Sequence, residues 1–252
     1  MNINPDCKIL LVLSGKGGVG KSTVSTQEVS AWDFWTSTLW PSIPHMLGID
    51  DKEIYQNESG WDPVYTDDTE SLAVMSIGFL LSRSSDSVVW RGPKKNSMIK
   101  KFLSDVRWGD RDILVIDTPP GTSDEHISLL ECMRASNHLD KSVAVLVTTP
   151  QILSVNDVVR EFDFCKKTKL RVAGIIENMS GYVCPNCSEC TNIFSKGGGQ
   201  ELASKTKSLF LGALPIEPKL AAAADSGKDF IQEFEGSEVA SILESIINKI
   251  EW

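Results

Sequence analysis

The chain contains no apolar run near the roughly 18 residues that a bilayer-spanning helix needs. Its first residues, Met1-Asn2-Ile3-Asn4-Pro5-Asp6, have neither the basic start nor the apolar stretch of a secretory signal, so a cytoplasmic location is expected. Positive charge is also in short supply: 25 Lys and Arg stand against 34 Asp and Glu, a net charge of -9. Such a chain is repelled by phosphate backbones and by anionic lipid, which argues against a nucleic-acid or membrane partner while allowing a local basic pocket. Histidine is scarce, and no His-x-x-x-His pair completes a zinc site near the cysteines. Repeats, low-complexity tracts and linkers are absent, so residues 1–252 are expected to form one domain, with ordinary globular composition and a sizeable core.

Six cysteines in 252 residues do not make a disulfide scaffold. Cys7, Cys132 and Cys165 fall singly in apolar or helical stretches and read as small buried hydrophobes. The other three stand together in Cys184-Pro185-Asn186-Cys187-Ser188-Glu189-Cys190, which needs a chemical explanation.

What the chain does have is alternation. Near-continuous apolar runs at Lys8–Leu13, Ser71–Ile77, Ile113–Ile116, Ser142–Thr148, Arg171–Ile176 and Leu209–Leu214 read as strands covered on both faces. Helical stretches at Lys94–Val106, Val155–Lys167 and Gln200–Lys207 lie between them, and Ser237–Lys249 has apolar residues at helical spacing. The fold class is therefore α/β, a single doubly wound and mostly parallel sheet.

The first strand runs into Gly15-Lys16-Gly17-Gly18-Val19-Gly20-Lys21-Ser22-Thr23, a complete G-x-x-x-x-G-K-[ST] phosphate loop in its proper strand-to-helix context. Glycines let backbone N–H groups turn toward phosphates, and the helix N-terminus adds positive potential. Lys21 is placed for the β- and γ-phosphates, and the Ser22 hydroxyl for Mg²⁺. Asp117, at the C-terminal end of a strand and opening Asp117-Thr118-Pro119-Pro120-Gly121, suits a second Mg²⁺ ligand, as Walker B aspartates do. A single P-loop NTPase domain binding ATP and Mg²⁺ follows. The second lysine, Lys16, makes the loop resemble the deviant Walker A of Mrp/MinD-type ATPases. That resemblance implies that Lys16 acts across a dimer on the partner's nucleotide, with catalysis shared among Lys16, Lys21 and Asp117.

The Cys184-x-x-Cys187 spacing lets two thiolates converge on one soft centre, either Zn²⁺ or an iron–sulfur cluster. Two chains giving two cysteines each complete four ligands, and a redox pair is a further alternative. The block Glu177-Asn178-Met179-Ser180-Gly181-Tyr182-Val183-Cys184-Pro185-Asn186-Cys187 resembles the cytosolic nucleotide-binding-protein branch of the Mrp family. So do Phe194-Ser195-Lys196-Gly197-Gly198-Gly199, Asp117 to His126 and Trp90 to Lys95. The resemblance implies an ATP-dependent scaffold that assembles [4Fe–4S] clusters and passes them to cytosolic and nuclear apoproteins. It makes Cys184 and Cys187 the ligands of a cluster bridging two protomers, and sets Asn178 to read the adenine edge. Only Cys7 precedes the loop, so the chain is similar to the shorter type of subunit, whose partner is a longer paralogue with an N-terminal cysteine motif, or itself.

Between Thr26 and Pro41 the resemblance lapses. A longer helix, a turn and a strand ending in Asp-x-Asp are expected; the chain runs Gln27-Glu28-Val29-Ser30-Ala31-Trp32-Asp33-Phe34-Trp35-Thr36-Ser37-Thr38-Leu39-Trp40. Codons for Leu-Asp-Ile-Asp read one base late give Trp-Thr-Ser-Thr, the residues at 35–38. Two expectations follow: a sheet lacking an inner strand, and hydrolysis lacking the carboxylate that activates water. A hydrolytically impaired metal-binding partner subunit is therefore one alternative function, and a MinD/ParA-type positioning ATPase another.

Overall fold

The computed structural model describes residues 3–30, 35–38, 42–58, 60–66, 68, 70–80, 92–183 and 190–252. From the N-terminus, β1 (Lys8–Leu13) leads through the phosphate loop into α1 (Lys21–Ser30), and β2 (Trp35–Thr38) precedes the short α2 (Ile43–Met46). A hairpin of β3 (Tyr55–Asn57) and β4 (Gly60–Asp62) is followed by β5 (Val64–Tyr65) and β6 (Ala73–Ser76). Then come α3 (Gly92–Ser104), β7 (Ile113–Asp117), α4 (Asp124–Ala135), β8 (Ser142–Thr148), α5 (Ile152–Thr168) and β9 (Arg171–Glu177). A small hairpin, β10 (Tyr182–Val183) and β11 (Cys190–Thr191), leads to α6 (Gly198–Thr206) and β12 (Phe210–Ala213). The chain finishes with α7 (Pro218–Asp225), α8 (Phe230–Glu233) and α9 (Glu238–Asn248).

Among the described residues eight strands form one sheet in the order β12-β9-β8-β1-β7-β2-β6-β5, parallel except for the edge strand β5. The alternation of β1 shows how the layers arise. Ile9, Leu11 and Leu13 point into one core with Phe102 of α3, Leu129 of α4, Val158 of α5 and Leu202 of α6. Leu10 and Val12 point into the other with Val24 of α1, Leu220 of α7 and Leu243 and Ile246 of α9. Residues of opposite parity on one strand therefore serve opposite helical layers, which is why the strand is apolar throughout rather than alternating. Among the described residues no helix is long and apolar enough to cross a membrane.

All six strands read from apolar runs are present, as are the four helices. The expectation that the sheet lacks an inner strand is wrong. Trp35–Thr38 occupies that place, paired parallel with β7 on one side and β6 on the other. Ladder hydrogen bonds come from the backbone, and aromatic and β-branched residues suit strands, so Trp-Thr-Ser-Thr fills the slot without a usual apolar pattern. The register sets Thr38 opposite Asp117. Asp33, the only carboxylate between Val29 and Pro41 in the sequence, lies outside the described residues, as do Trp90 and Arg91. Cys7 and Cys165 are buried and free, as expected, while Cys132 is half-buried.

Candidate nucleotide site and cysteine hairpin

The sheet order reverses at β1, with β7 on one side and β8 on the other, and the C-terminal ends of all three strands open on the same crevice. The phosphate loop leaves β1 there. Two of its glycines are required by close approach. A Cβ on Gly15 would lie 2.4 Å from the Cβ of Asp157 on α5. Gly20, at φ +81°, would bring a Cβ within 2.1 Å of the Asn178 amide nitrogen. The groove over the loop encloses about 180 Å³ and is bounded by Lys16 to Thr23 together with Ser14 and Pro120.

The loop is held against the end of β7. The Lys21 ammonium pairs with Asp117 Oδ1, and both side chains are buried. Ser22 Oγ donates to Asp117 Oδ2 at 2.7 Å, and Ser25 Oγ donates to Oδ1 at 3.2 Å. Burial lowers the Lys21 pKa below the ordinary lysine value, and the Asp117 carboxylate opposes that shift. Below Asp117, Thr118 Oγ1 donates to the Val12 carbonyl at 2.8 Å, and the Gly121 N–H donates to the Ser14 carbonyl at 2.8 Å. The segment after β7 is thereby stitched to the start of the phosphate loop.

These groups fit a nucleoside triphosphate and a hard divalent cation. Ser22 Oγ and Asp117 Oδ2 are two oxygens within 2.7 Å of each other, of the type Mg²⁺ takes, and Lys21 is a buried cation at a helix N-terminus.

Asn178, expected at the nucleotide, follows β9. Its amide donates to the Val19 carbonyl at 2.8 Å, so the side chain braces the phosphate loop. Lys16 borders the groove, and its ammonium donates to Gln151 Oε1 at 3.2 Å just before α5. Next to it Ile152 and Leu153 are exposed, at 68% and 69%. The structure thus brings Lys16, Lys21, Ser22, Asp117 and Asn178 around one loop. Cys184 and Cys187 lie outside the described residues. The chain on either side of them is described: Val183 pairs with Cys190 and Tyr182 with Thr191 in the β10–β11 hairpin, directly after the Asn178 turn.

The profile of the ParA family described as NUBPL iron-transfer P-loop NTPase matches residues 7–251. The chain belongs to this family. Among curated relatives, the cytosolic Fe–S cluster assembly factor nubp2 of Xenopus laevis is 56% identical, with the alignment covering 96% of this chain and 92% of that protein. The human factor NUBP2 is 52% identical over 96% of this chain and 91% of its own length. Among solved structures, the Archaeoglobus fulgidus nucleotide-binding protein in complex with ADP matches with TM-score 0.73 and 35% identity, over 90% of this chain and 88% of that one. Pyrococcus horikoshii MinD with Mg-ADP, at 19% identity over 97% and 96% of the two chains, shares the fold with TM-score 0.67. This member of the iron-transfer family therefore carries the P-loop fold in full.

Several residues of the site were not singled out from sequence. Ser25 is one helical turn beyond Lys21, so its hydroxyl falls on the same face of α1 and reaches Asp117; that spacing was a readable signal. Gln151 is 135 residues from Lys16, and no local pattern links them. His126 lies in the quoted motif but had no assigned role. It is buried in the first turn of α4, where Nδ1 accepts the Ser123 backbone N–H at 3.2 Å in a capping box. Among the described residues its Nε2 has no hydrogen-bond partner. Burial pushes its pKa down to about 4 from 6.5, with Glu125 opposing and Lys21 adding to the drop.

A pH dependence follows. The unfolded chain takes up a proton on His126 near pH 6.5 that the folded chain refuses until about pH 4, so stability falls as pH drops through that window. The full effect is roughly 3 kcal/mol from the linkage between pKa and stability. Urea unfolding at pH 7 and pH 4.5 should show a smaller stability difference in His126→Asn than in the wild type; equal differences would remove His126 from the account.

Proposed function

We propose that this protein is an ATP-dependent scaffold that assembles [4Fe–4S] clusters in the cytosol and transfers them to cytosolic and nuclear apoproteins. The observation that carries the reading is that one chain of the iron-transfer family joins a complete phosphate loop to Cys184-x-x-Cys187, with the hairpin bearing the cysteines rooted one turn from the residue that braces the loop. Relatives named as cytosolic Fe–S cluster assembly factors, aligned over nearly their whole length, support the same role and compartment.

In this reading Cys184 and Cys187 of two protomers hold the cluster as cargo, and the pairing is with a longer paralogue or with a second copy. Lys16 serves in trans. Its hydrogen bond to Gln151, the residue before exposed Ile152 and Leu153, sets it beside an apolar face suited to meeting another subunit. Lys21 offsets the charge of the β- and γ-phosphates, and Asn178 meets the adenine. Ser22 and Asp117 would hold Mg²⁺, which would supply charge neutralisation on the phosphates. The residues of the chain do the rest: loop N–H groups orient the phosphates, and the Thr118 and Gly121 tethers connect Asp117 to the loop.

Reconstitution without oxygen, with ferrous iron and sulfide, tests the scaffold directly. The wild type is expected to take up about four irons per dimer, as a [4Fe–4S] cluster requires, with absorbance near 400 nm. Cys184→Ser/Cys187→Ser should take up none; equal uptake by both would discard the assigned ligands.

A second reading, a hydrolytically impaired subunit, is favoured by one observation. Thr38 stands in register with Asp117, at the end of β2 where the resemblance expects an Asp-x-Asp. Without a carboxylate there, water lacks its activating base. Restoring it as W35L/T36D/S37I/T38D should raise ATP hydrolysis about 10²-fold, the lower end for general-base catalysis. An unchanged rate measured by phosphate release would show that turnover does not depend on this strand.

A further inference from the structure

The chain leaves β9 through two adjacent residues whose side chains grip different loops. Asn178 reaches the phosphate loop at the Val19 carbonyl, 2.8 Å away, and closes on Gly20. Glu177, only 1% exposed, reaches the cysteine hairpin from both sides. Its Oε1 accepts the Ser180 hydroxyl at 2.6 Å, where the chain enters the hairpin. The same oxygen accepts the Gly197 N–H at 3.3 Å, and Oε2 accepts the Gly199 N–H at 2.6 Å, where the chain has left the hairpin and begins α6.

We propose that Glu177 is a positioning residue that ties the two roots of the cysteine hairpin together and, through its peptide bond to Asn178, couples their geometry to the phosphate loop. This deepens the scaffold reading and rests on it only for the role of the two cysteines.

Three physical facts carry the proposal. A buried carboxylate without hydrogen-bond donors is strongly unfavourable, and among the described residues the donors to the Glu177 carboxylate all belong to a hairpin root. The roots are therefore held at one separation as long as the carboxylate stays in place. The segment between the two grips is also stiff. The Asn178 N–H donates to the Thr148 carbonyl, the Leu214 N–H to the Glu177 carbonyl, and the Ser180 N–H to the Leu214 carbonyl, each at 2.8 Å. A shift of Asn178 is thus passed along the chain rather than absorbed. Finally, there is no slack at either contact. A Cβ on Gly199 would lie 2.9 Å from the Glu177 Cβ, and Met179 between the grips is held at φ +60°, unfavourable for a side-chain-bearing residue, with its methyl 3.9 Å from a Cβ placed on Gly20. Occupation of the phosphate loop bears on Val19, Gly20 and Asn178, and the Glu177 clamp carries that to the hairpin.

The test is the alkylation rate of Cys184 and Cys187 by iodoacetamide in the metal-free full chain, with and without Mg-ATP, read by peptide mass spectrometry. Cys7 and Cys165, buried and with thiols pushed up to about 12, stay unreacted unless the whole chain opens, so they report on global unfolding. In the wild type Mg-ATP is expected to change the rate at the two cysteines about tenfold, within the usual range of coupling between sites. In Glu177→Gln, which turns an N–H toward the loop donors, the ratio should fall to within about twofold of unity while Mg-ATP affinity stays within about threefold. Ser180→Ala, which removes one donor without touching the sheet, should cut the ratio to about half or less, and it decides the matter alone if Glu177→Gln does not fold. A wild-type ratio of one, or a ratio that survives in the folded variants, overturns the proposal. Failure of the scaffold reading is separately visible, because it shows as absence of iron uptake and leaves this ratio unchanged.

Discussion

The buried pairing of Lys21 with Asp117 is the constraint around which the crevice is organised. Lys21 begins α1 and Asp117 ends β7, so the ion pair joins the phosphate loop to the neighbouring strand across 96 positions of sequence. Ser22 and Ser25 add hydroxyl donors to the same carboxylate, leaving it well satisfied although it is fully buried. Removing one partner of such a pair leaves an uncompensated charge, an effect of about 3–5 kcal/mol, which is far more than a surface pair contributes. The same groups have the chemistry that a phosphate chain and its cation require, so the contact that organises the crevice also suits it to them.

The cysteine side of the molecule depends on this arrangement through β9. That strand is flanked by β8 and β12, and its C-terminal end opens on the same crevice as β1 and β7. Two consecutive residues then serve two loops, Asn178 the phosphate loop and Glu177 the hairpin. In a parallel sheet all strands deliver their C-terminal ends to one side, so neighbouring functions are brought within a few ångströms without long connections. The proposed ATP-linked carrier would draw on that proximity, since a nucleotide influences a second site only through contacts whose energy differs between two states.

Much of this was legible from residue order, and the reasons differ by element. Strands β1, β7, β8 and β9 are apolar because both faces are covered, and the phosphate loop is defined by glycines at fixed spacing, so both left a local pattern. The strand β2 did not. Its four residues are held by backbone ladders to β6 and β7, and a run of Trp, Thr and Ser has no period that marks an inner strand. Edge strand β5 has only two residues, too few for any pattern. Side-chain contacts between distant segments were equally silent. Lys16 with Gln151 and Glu177 with Gly199 are products of the finished topology, and no local spacing encodes them.

In the proposed function, the nucleotide crevice acts on a cluster held at Cys184 and Cys187. The most direct measurement is the rate at which a reconstituted wild-type dimer passes its cluster to an apo-acceptor of the [4Fe–4S] type, with Mg-ATP and without nucleotide. Transfer is expected to be about tenfold faster with Mg-ATP, the scale of ordinary coupling free energies. Equal rates under the two conditions, from a dimer that holds its iron and binds nucleotide, would contradict it.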